Sequence, residues 1–300
     1  SMCGIVGYVG PKNAVPIIMN GLKRLEYRGY DSAGISVLND KGQFLIKCKG
    51  KVSDLEEKIN NSLEASNIGI GHTRWATHGI PSDLNAHPHV SNSGNLTLIH
   101  NGIIENYAAI KSALENRGYT FQSETDTEVL VNLIEHLKKI ENLSLEKAVN
   151  LALNQVVGAY AIVVYDKNNP HELVVAKKGS PLAIGIGENM KEYFIASDAT
   201  PFLEFTKNAI YLKDDEMAVI KPNEKVKVIS IKDSKSVKPA IQKLKMDLES
   251  IEKGGYEHFM LKEIYEQPKS IMDTLRGRLL ADQGVINMGG VFEYREKLLN

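Results

Sequence analysis

Cys3-Gly4-Ile5-Val6-Gly7, preceded by Ser1 and Met2, is the stretch on which the reading of this chain turns. Where Met2 is a start residue that is trimmed, Cys3 becomes residue one and carries a thiol and a free α-amine on the same carbon. An α-amine with an unperturbed pKa of about 7.7–8.0 is a base poised near neutrality. Nucleophile and general base are then a single residue, the pairing that activates terminal Thr, Ser and Cys side chains. The same five residues also read as the opening of a β-strand whose cysteine is merely small and buried. Position alone leaves both readings open. After the strand, Gly10-Pro11 breaks the chain, and Val15, Ile18, Met19, Leu22 and Leu25 recur at three- and four-residue spacing, which predicts an amphipathic helix.

Further along, Ala33 to Leu38 and Gln43 to Cys48 predict two strands joined across Asp40-Lys41-Gly42, a hairpin turn signal. Strands are also expected at Ile68 to His72 and Asn95 to Asn101. Helices are expected over Glu105 to Asn116, Asp126 to Lys139 and Leu145 to Val156. Ala159 to Tyr165 is a continuous apolar run rich in β-branched residues, the pattern of a strand covered on both faces. Six more strands are expected, at Glu172 to Ala176, Leu182 to Ile186, Tyr193 to Ala196, Ala209 to Leu212, Met217 to Ile220 and Val226 to Ile231. Hairpins and grouped helices in this order predict an α+β fold of sheets covered by helix layers rather than a doubly wound parallel sheet. Around Ile231 the composition turns polar (Lys232-Asp233-Ser234-Lys235-Ser236), and past Pro239 the chain becomes charged and helical in pattern. A boundary is expected there, between a domain over 3–231 and a remainder over 232–300.

With 36 basic and 37 acidic residues the formal charge is −1, so no electrostatic case exists for nucleic acid or an anionic membrane as partner. A small neutral or zwitterionic substrate fits better. No apolar run approaches the roughly 18–20 residues that span a bilayer, and the amino end lacks a charged-then-apolar signal segment. Two cysteines, Cys3 and Cys48, without a Cys-x-x-Cys spacing argue against a disulfide framework and for a reducing, cytoplasmic location.

Residues able to do chemistry concentrate between Gly71 and Asp126. His72-Thr73-Arg74-Trp75-Ala76-Thr77-His78-Gly79 follows a predicted strand, where a rigid sheet presents a loop for binding. Arg74 offers a planar fork suited to a carboxylate, although taken alone it also reads as a solvated arginine. Trp75 is the single tryptophan and reads as core or as part of a lid. In His100-Asn101-Gly102 a side-chain amide beside a glycine N–H forms a donor pair for the oxyanion of acyl transfer; the bland reading is an Asn-Gly turn. Asp126 in Ser123-Glu124-Thr125-Asp126-Thr127-Glu128 opens a helix, where it also reads as a first-turn carboxylate, with Thr125 and Glu128 forming a capping box. The histidines 72, 78, 87, 89 and 100 include an H-x-H pair in His87-Pro88-His89, a spacing found in metal sites. They lack the carboxylate partners a two-metal centre needs, so no metal is expected.

These motifs together carry a resemblance. Cys3-Gly4-Ile5-Val6-Gly7, Leu25-Glu26-Tyr27-Arg28-Gly29-Tyr30-Asp31-Ser32-Ala33-Gly34, HTRWATHG from His72, NAHPH from Asn85, HNGIIEN from His100 and SETDTE from Ser123 resemble the glutaminase half of the glutamine–fructose-6-phosphate aminotransferases. Those are class II amidotransferases with an amino-terminal nucleophile. The run Met260 to Pro268 resembles the segment that joins their two halves, so the likeness covers essentially residues 3 to 280. It implies a four-layer αββα sandwich of the N-terminal nucleophile hydrolase type and no cofactor. It further implies that Cys3 attacks the side-chain amide of L-glutamine, with its own amine moving the proton and Asn101 and Gly102 holding the oxyanion. Arg74 would bind the α-carboxylate and Asp126 the α-ammonium, and Thr77, His78 and Gly102 would complete the pocket. The loop from Arg74 to Ser82 would close over glutamine, Trp75 would gate ammonia, and His87 and Arg28 would support the site.

Two departures bear on this. The sugar isomerase half of that family is absent from the 300 residues, so fructose 6-phosphate is expected to enter only through that half, which also carries the family's homodimer contacts; the fragment is compatible with a monomer. Ser1 reads as a cloning remnant that would keep Met2 in place and tie the Cys3 nitrogen into an amide, which is no base. Other class II amidotransferases, such as those of purine or asparagine synthesis, and a catalytically silent regulatory module remain alternatives.

Overall fold

The structure is a computed structural model in which residues 3–60, 62–76 and 79–244 are described. The elements run Gly4–Val9 (β1), Ala14–Arg24 (α1), Ser32–Asn39 (β2), Gly42–Lys49 (β3), Val52–Ile59 (α2), Ile68–Arg74 (β4), His89–Val90 (β5) and Leu96–Ile104 (β6). Three consecutive helices follow, Tyr107–Glu115 (α3), Asp126–Ile140 (α4) and Leu145–Leu153 (α5). The rest is strands: Gly158–Asp166 (β7), Leu173–Lys178 (β8), Ala183–Ile186 (β9), Tyr193–Ala196 (β10), Asn208–Tyr211 (β11), Glu216–Ile220 (β12), Lys227–Ser230 (β13), Ser236–Val237 (β14) and Ile241–Lys243 (β15).

Two sheets result. The first has the order β15-β11-β9-β10-β1-β4-β2-β3 and the second β14-β13-β12-β8-β7-β6-β5, and neighbouring strands pair antiparallel. Period-two alternation explains how they stack. In β7, Ala161, Val163 and Tyr165 point into a core shared with Ile99 of neighbouring β6 and with Ile5, Ile68 and Ile70 of the facing sheet. Its intervening residues Tyr160, Ile162 and Val164 point the other way, into a second core made with α3, α4 and α5. Likewise Val6 and Tyr8 of β1 leave the inter-sheet core and pack under α1 and α2 with Ile18, Leu22 and Leu55. Three cores between four layers make the αββα sandwich, and β1 is an interior strand within it.

Ile70 is fully buried between the sheets. Ile70→Ala is expected to destabilise the fold by about 2–5 kcal/mol, since facing strands cannot collapse onto the void; the urea unfolding midpoint at unchanged slope is the measurement.

The structure differs from the sequence reading at four places. Helix α2 was not anticipated; its buried positions are Val52, Leu55 and Ile59, too few for a clear pattern. Strand β4 continues through Arg74 rather than ending at His72. Strand β6 continues to Ile104, so Gly102 lies within it, opposite Tyr160, and Asn101-Gly102 is no turn. The polar run after Ile231 is the turn of a hairpin in which Val228 faces Val237, and β15 then pairs with β11 in the other sheet. Among the described residues no helix is long and apolar enough to cross a membrane.

Candidate active site

Cys3 immediately precedes β1. Its neighbour Gly4 lies opposite Thr73 of β4 and donates its N–H to Thr73 Oγ1 at 3.1 Å, which sets the cysteine beside the end of β4. There the Trp75 N–H donates to Cys3 Sγ at 3.2 Å, and the thiol lies 3.7 Å from the Trp75 carbonyl oxygen. Cys3 is half-buried, and burial pushes its thiol above the ordinary value, while the Trp75 N–H and Arg74 act in the opposite direction. The resting group is therefore a neutral thiol that needs a base before it can attack.

Arg74, the last residue of β4, is buried and directs Nη2 to the Gly79 carbonyl at 3.5 Å. Burial pulls its guanidinium below the usual value, and the charges of Asp31, Asp126 and Glu124 pull it back up. Asp31 pins the start of the following loop: its N–H donates to the Arg74 carbonyl and its Oδ2 accepts from the Ala76 N–H, each at 2.8 Å. Trp75 is 47% exposed, which removes it from the core and leaves it on the loop surface with exposed Ile80 and Leu84.

The second sheet faces Cys3 with Asn101. Two residues after Ile99, it shares the inward face of β6, where its Nδ2 donates to the Cys3 carbonyl at 3.1 Å and its Oδ1 lies 2.8 Å from His72 Nε2. Gly102 has φ +111°, and a Cβ there would stand 2.2 Å from the Ala159 carbonyl oxygen, so only glycine fits. Asp126, the first residue of α4, is buried and accepts the Ile104 N–H at 2.8 Å, which ties the helix start to the end of β6. Thr125 caps that helix by accepting from the Glu128 N–H, but the expected capping box is only half formed. The Glu128 carboxylate instead takes the N–H groups of Gln122 and Ser123, and the Thr125 N–H donates to Ser123 Oγ.

His72, His87 and His89 form a buried stack. His87 lies on His72 with ring centroids 4.1 Å apart and 12° between planes, and His89 meets its edge at 4.9 Å. Thr127 Oγ1 lies 3.0 Å from His100 Nδ1 and 3.4 Å from His87 Nε2, and Thr125 Oγ1 lies 3.1 Å from His89 Nε2. Burial lowers His72 to about 3 and holds His87 and His89 well below the ordinary imidazole range, so these three are neutral at pH 7. Among the described residues no three His, Cys, Asp or Glu side chains converge in a way that could hold a metal ion. The His87 backbone reaches this position because Gly34 opposes it; a Cβ on Gly34 would stand 1.8 Å from the His87 carbonyl oxygen.

Of the residues singled out from sequence, Cys3, Arg74, Trp75, Asn101, Gly102 and Asp126 lie around one another at the ends of β1, β4, β6 and α4. His87 lies one layer behind, against His72. Thr77, His78, the Arg28 side chain, Ser1, Met2 and the run 260–268 lie outside the described residues. Asp31, His72 and Thr127 carried no assigned part in the sequence reading. Period-two spacing pairs His72 with Arg74 and Ile99 with Asn101, yet only the stacking of the sheets shows that the two faces meet.

A cysteine at the head of an interior strand, in two antiparallel sheets enclosed by helices, is the architecture of the N-terminal nucleophile hydrolases. The glutamine amidotransferase domain family matches residues 54–246, and the chain belongs to that family. It is 52% identical over its full length to the glutamine–fructose-6-phosphate aminotransferase (isomerizing) of Bacteroides thetaiotaomicron, covering 48% of that protein. It is 46% identical, over 98% of the chain, to the Thermus thermophilus enzyme of the same name, again covering 48% of it. The chain thus spans about half the length of the curated relatives it matches. Among solved structures, the glutamine phosphoribosylpyrophosphate amidotransferase of B. subtilis superposes with TM-score 0.64 at 29% identity, over 76% of this chain and 49% of that one. An allosteric regulatory enzyme of purine biosynthesis superposes with TM-score 0.65 at 30% identity, with the same coverage.

Proposed function

We propose that this chain is the glutaminase half of a glutamine–fructose-6-phosphate aminotransferase, with the amidotransferase domain, expected over 3–231, carried on through β14 and β15, and the residues beyond leading to the isomerase half. The observation that carries the reading is the meeting at Cys3 of a side-chain amide (Asn101) and a buried guanidinium (Arg74), on which the helix-start carboxylate Asp126 acts in turn. In this reading the Cys3 thiol attacks the side-chain carbonyl carbon of L-glutamine while the Cys3 α-amine takes the thiol proton. The Asn101 amide and the Gly102 N–H hold the oxyanion. The amine returns the proton to the leaving nitrogen, ammonia departs, and water hydrolyses the γ-glutamyl thioester to glutamate. Arg74 grips the α-carboxylate and Asp126 the α-ammonium, with Thr77, His78 and Gly102 completing the pocket.

The loop 74–82 closes over glutamine, Trp75 gates ammonia, and His87 and Arg28 support the site. Ammonia is destined for fructose 6-phosphate on the other half of the full-length protein, which assembles as a homodimer through that half. A chain with two cysteines and no Cys-x-x-Cys spacing fits a reducing, cytoplasmic compartment. Identity to the hexosamine-forming enzymes exceeds that to the purine enzymes, which favours the former acceptor.

The test is labelling of Cys3 by a glutamine-mimicking electrophile in a chain whose Cys3 amine is free, followed by intact mass. Labelling competed by glutamine is expected; no labelling would favour a silent module. Arg74→Lys is expected to raise KM for glutamine about 10–100-fold with kcat changed far less, because an ammonium cannot replace the two-pronged carboxylate contact. Steady-state kinetics check this.

A further inference from the structure

We propose that His72 is a positioning residue: its ring orients the Asn101 amide so that Nδ2, rather than Oδ1, faces the Cys3 side of the site. The inference rests on the glutaminase reading for its catalytic meaning, and on geometry for the contact itself.

An asparagine amide rotated by half a turn has nearly the same shape but exchanges its donor for an acceptor. An oxyanion needs the donor. Two contacts select the orientation here. The Cys3 carbonyl, 3.1 Å from Nδ2, accepts a hydrogen bond that the oxygen end could not supply. His72 Nε2, 2.8 Å from Oδ1, matches the carbonyl end provided that the ring carries its proton on Nε2. Nδ1 of the same ring is buried without a hydrogen-bond partner among the described residues, although the His100 main chain bears on the ring. A proton on Nδ1 would leave Nε2 lone pair to lone pair with Oδ1, and the Nδ2 contact with the Cys3 carbonyl keeps the amide from turning over to relieve it. The Nε2–H tautomer is therefore the one this arrangement fixes.

The ring is itself held. His72 is fully buried, and His87 stacks on it nearly parallel, so the imidazole cannot swing away from Asn101. His87 in turn lies 3.4 Å from Thr127 Oγ1 at the start of α4, next to Asp126. The orientation of the oxyanion donor is thus set from both sheets and the helix layer, across residues that never touch substrate.

The test has two arms, on the full chain with a free Cys3 amine. Nitrogen NMR of the histidine rings, with the His72 signals assigned by their loss in His72→Gln, is expected to show Nε2 protonated and Nδ1 bare from pH 6 to 8. A ring protonated on Nδ1 would overturn the proposal whether or not the chain is active. In kinetics, His72→Met is expected to lower kcat for glutamine by about 10–100-fold with KM within about threefold, a fraction of the loss of an oxyanion donor itself. His72→Gln, which can return an N–H donor to the same place, should recover most of that loss. In an Asn101→Ala background His72→Met should cost nothing further, because the contact it removes is already gone. An equal loss in that background, or a rise in KM alone, would show a structural role and overturn the proposal. If the unmutated chain hydrolyses no glutamine, the glutaminase reading falls, while the tautomer still decides the contact.

Discussion

A preparation in which the Cys3 nitrogen is a free α-amine will hydrolyse glutamine about 10²–10⁴ times faster than one in which that nitrogen is acylated by preceding residues, the usual range for loss of a positioned base. The thiol is held above its ordinary pKa by burial and rests 3.7 Å from the Trp75 carbonyl, so it begins the reaction protonated. Among the described residues the neighbouring candidates for a base are poor. His72 is lowered to about 3 and faces Asn101, and Asp31 is committed through Oδ2 to the Ala76 N–H. In the proposed mechanism the amine on the same carbon accepts the proton. The rate of the free-amine form should therefore fall as pH drops through the amine pKa, and the acylated form should lack that limb. Cys3→Ala, which removes the nucleophile itself, is expected to cost at least about 10⁴-fold. Intact mass defines the two preparations and a glutamate assay compares them; equal rates would refute the amine as base.

Gly102→Ala is expected to lose both stability and activity. The new Cβ would lie 2.2 Å from the Ala159 carbonyl oxygen on β7, and the backbone there has φ +111°, which L side chains rarely adopt. Strain and overpacking each cost about 1–3 kcal/mol, and relief requires β6 to move away from β7. That movement would carry Asn101 and the Gly102 N–H away from the oxyanion position, at a cost in kcat of about 10²–10³-fold. Thermal unfolding and kcat measured on the same sample separate the two effects. A variant of normal stability with kcat reduced would place the damage in the donor geometry alone, and one with both unchanged would show that Gly102 has no such constraint.

The fold was largely legible where burial writes itself into a continuous signal. The run from Ala159 to Tyr165 is apolar at every position because alternate side chains serve two different cores, and the sequence pattern reports that directly. Signals failed where the elements are short or where a distant backbone decides. Helix α2 rests on three buried residues, and β15 is exposed along its length, so neither carries a period. Asn101-Gly102 has the local chemistry of a turn, yet pairing with β7 keeps it extended and makes glycine obligatory. Within the site, Cys3, Arg74, Asn101 and Asp126 could be nominated from residue type and motif. The His72 contact could not, since it joins two sheets whose stacking no local pattern encodes.

Strand β1 is completed late. Its Ile5 N–H donates to Ser197 Oγ and Val6 lies opposite Ala196, partners that follow it by 192 residues in the first case. At ribosomal rates of about 5–20 residues per second, that separation corresponds to about 10–40 s of synthesis. Throughout this interval the segment that becomes β1 has no β10 to pair with, although β4, Trp75 and Asn101 have already been made. Closure of the first sheet is thereby ordered in time by the place of one strand in it: β1 is bordered by β4 early and by β10 only late in synthesis.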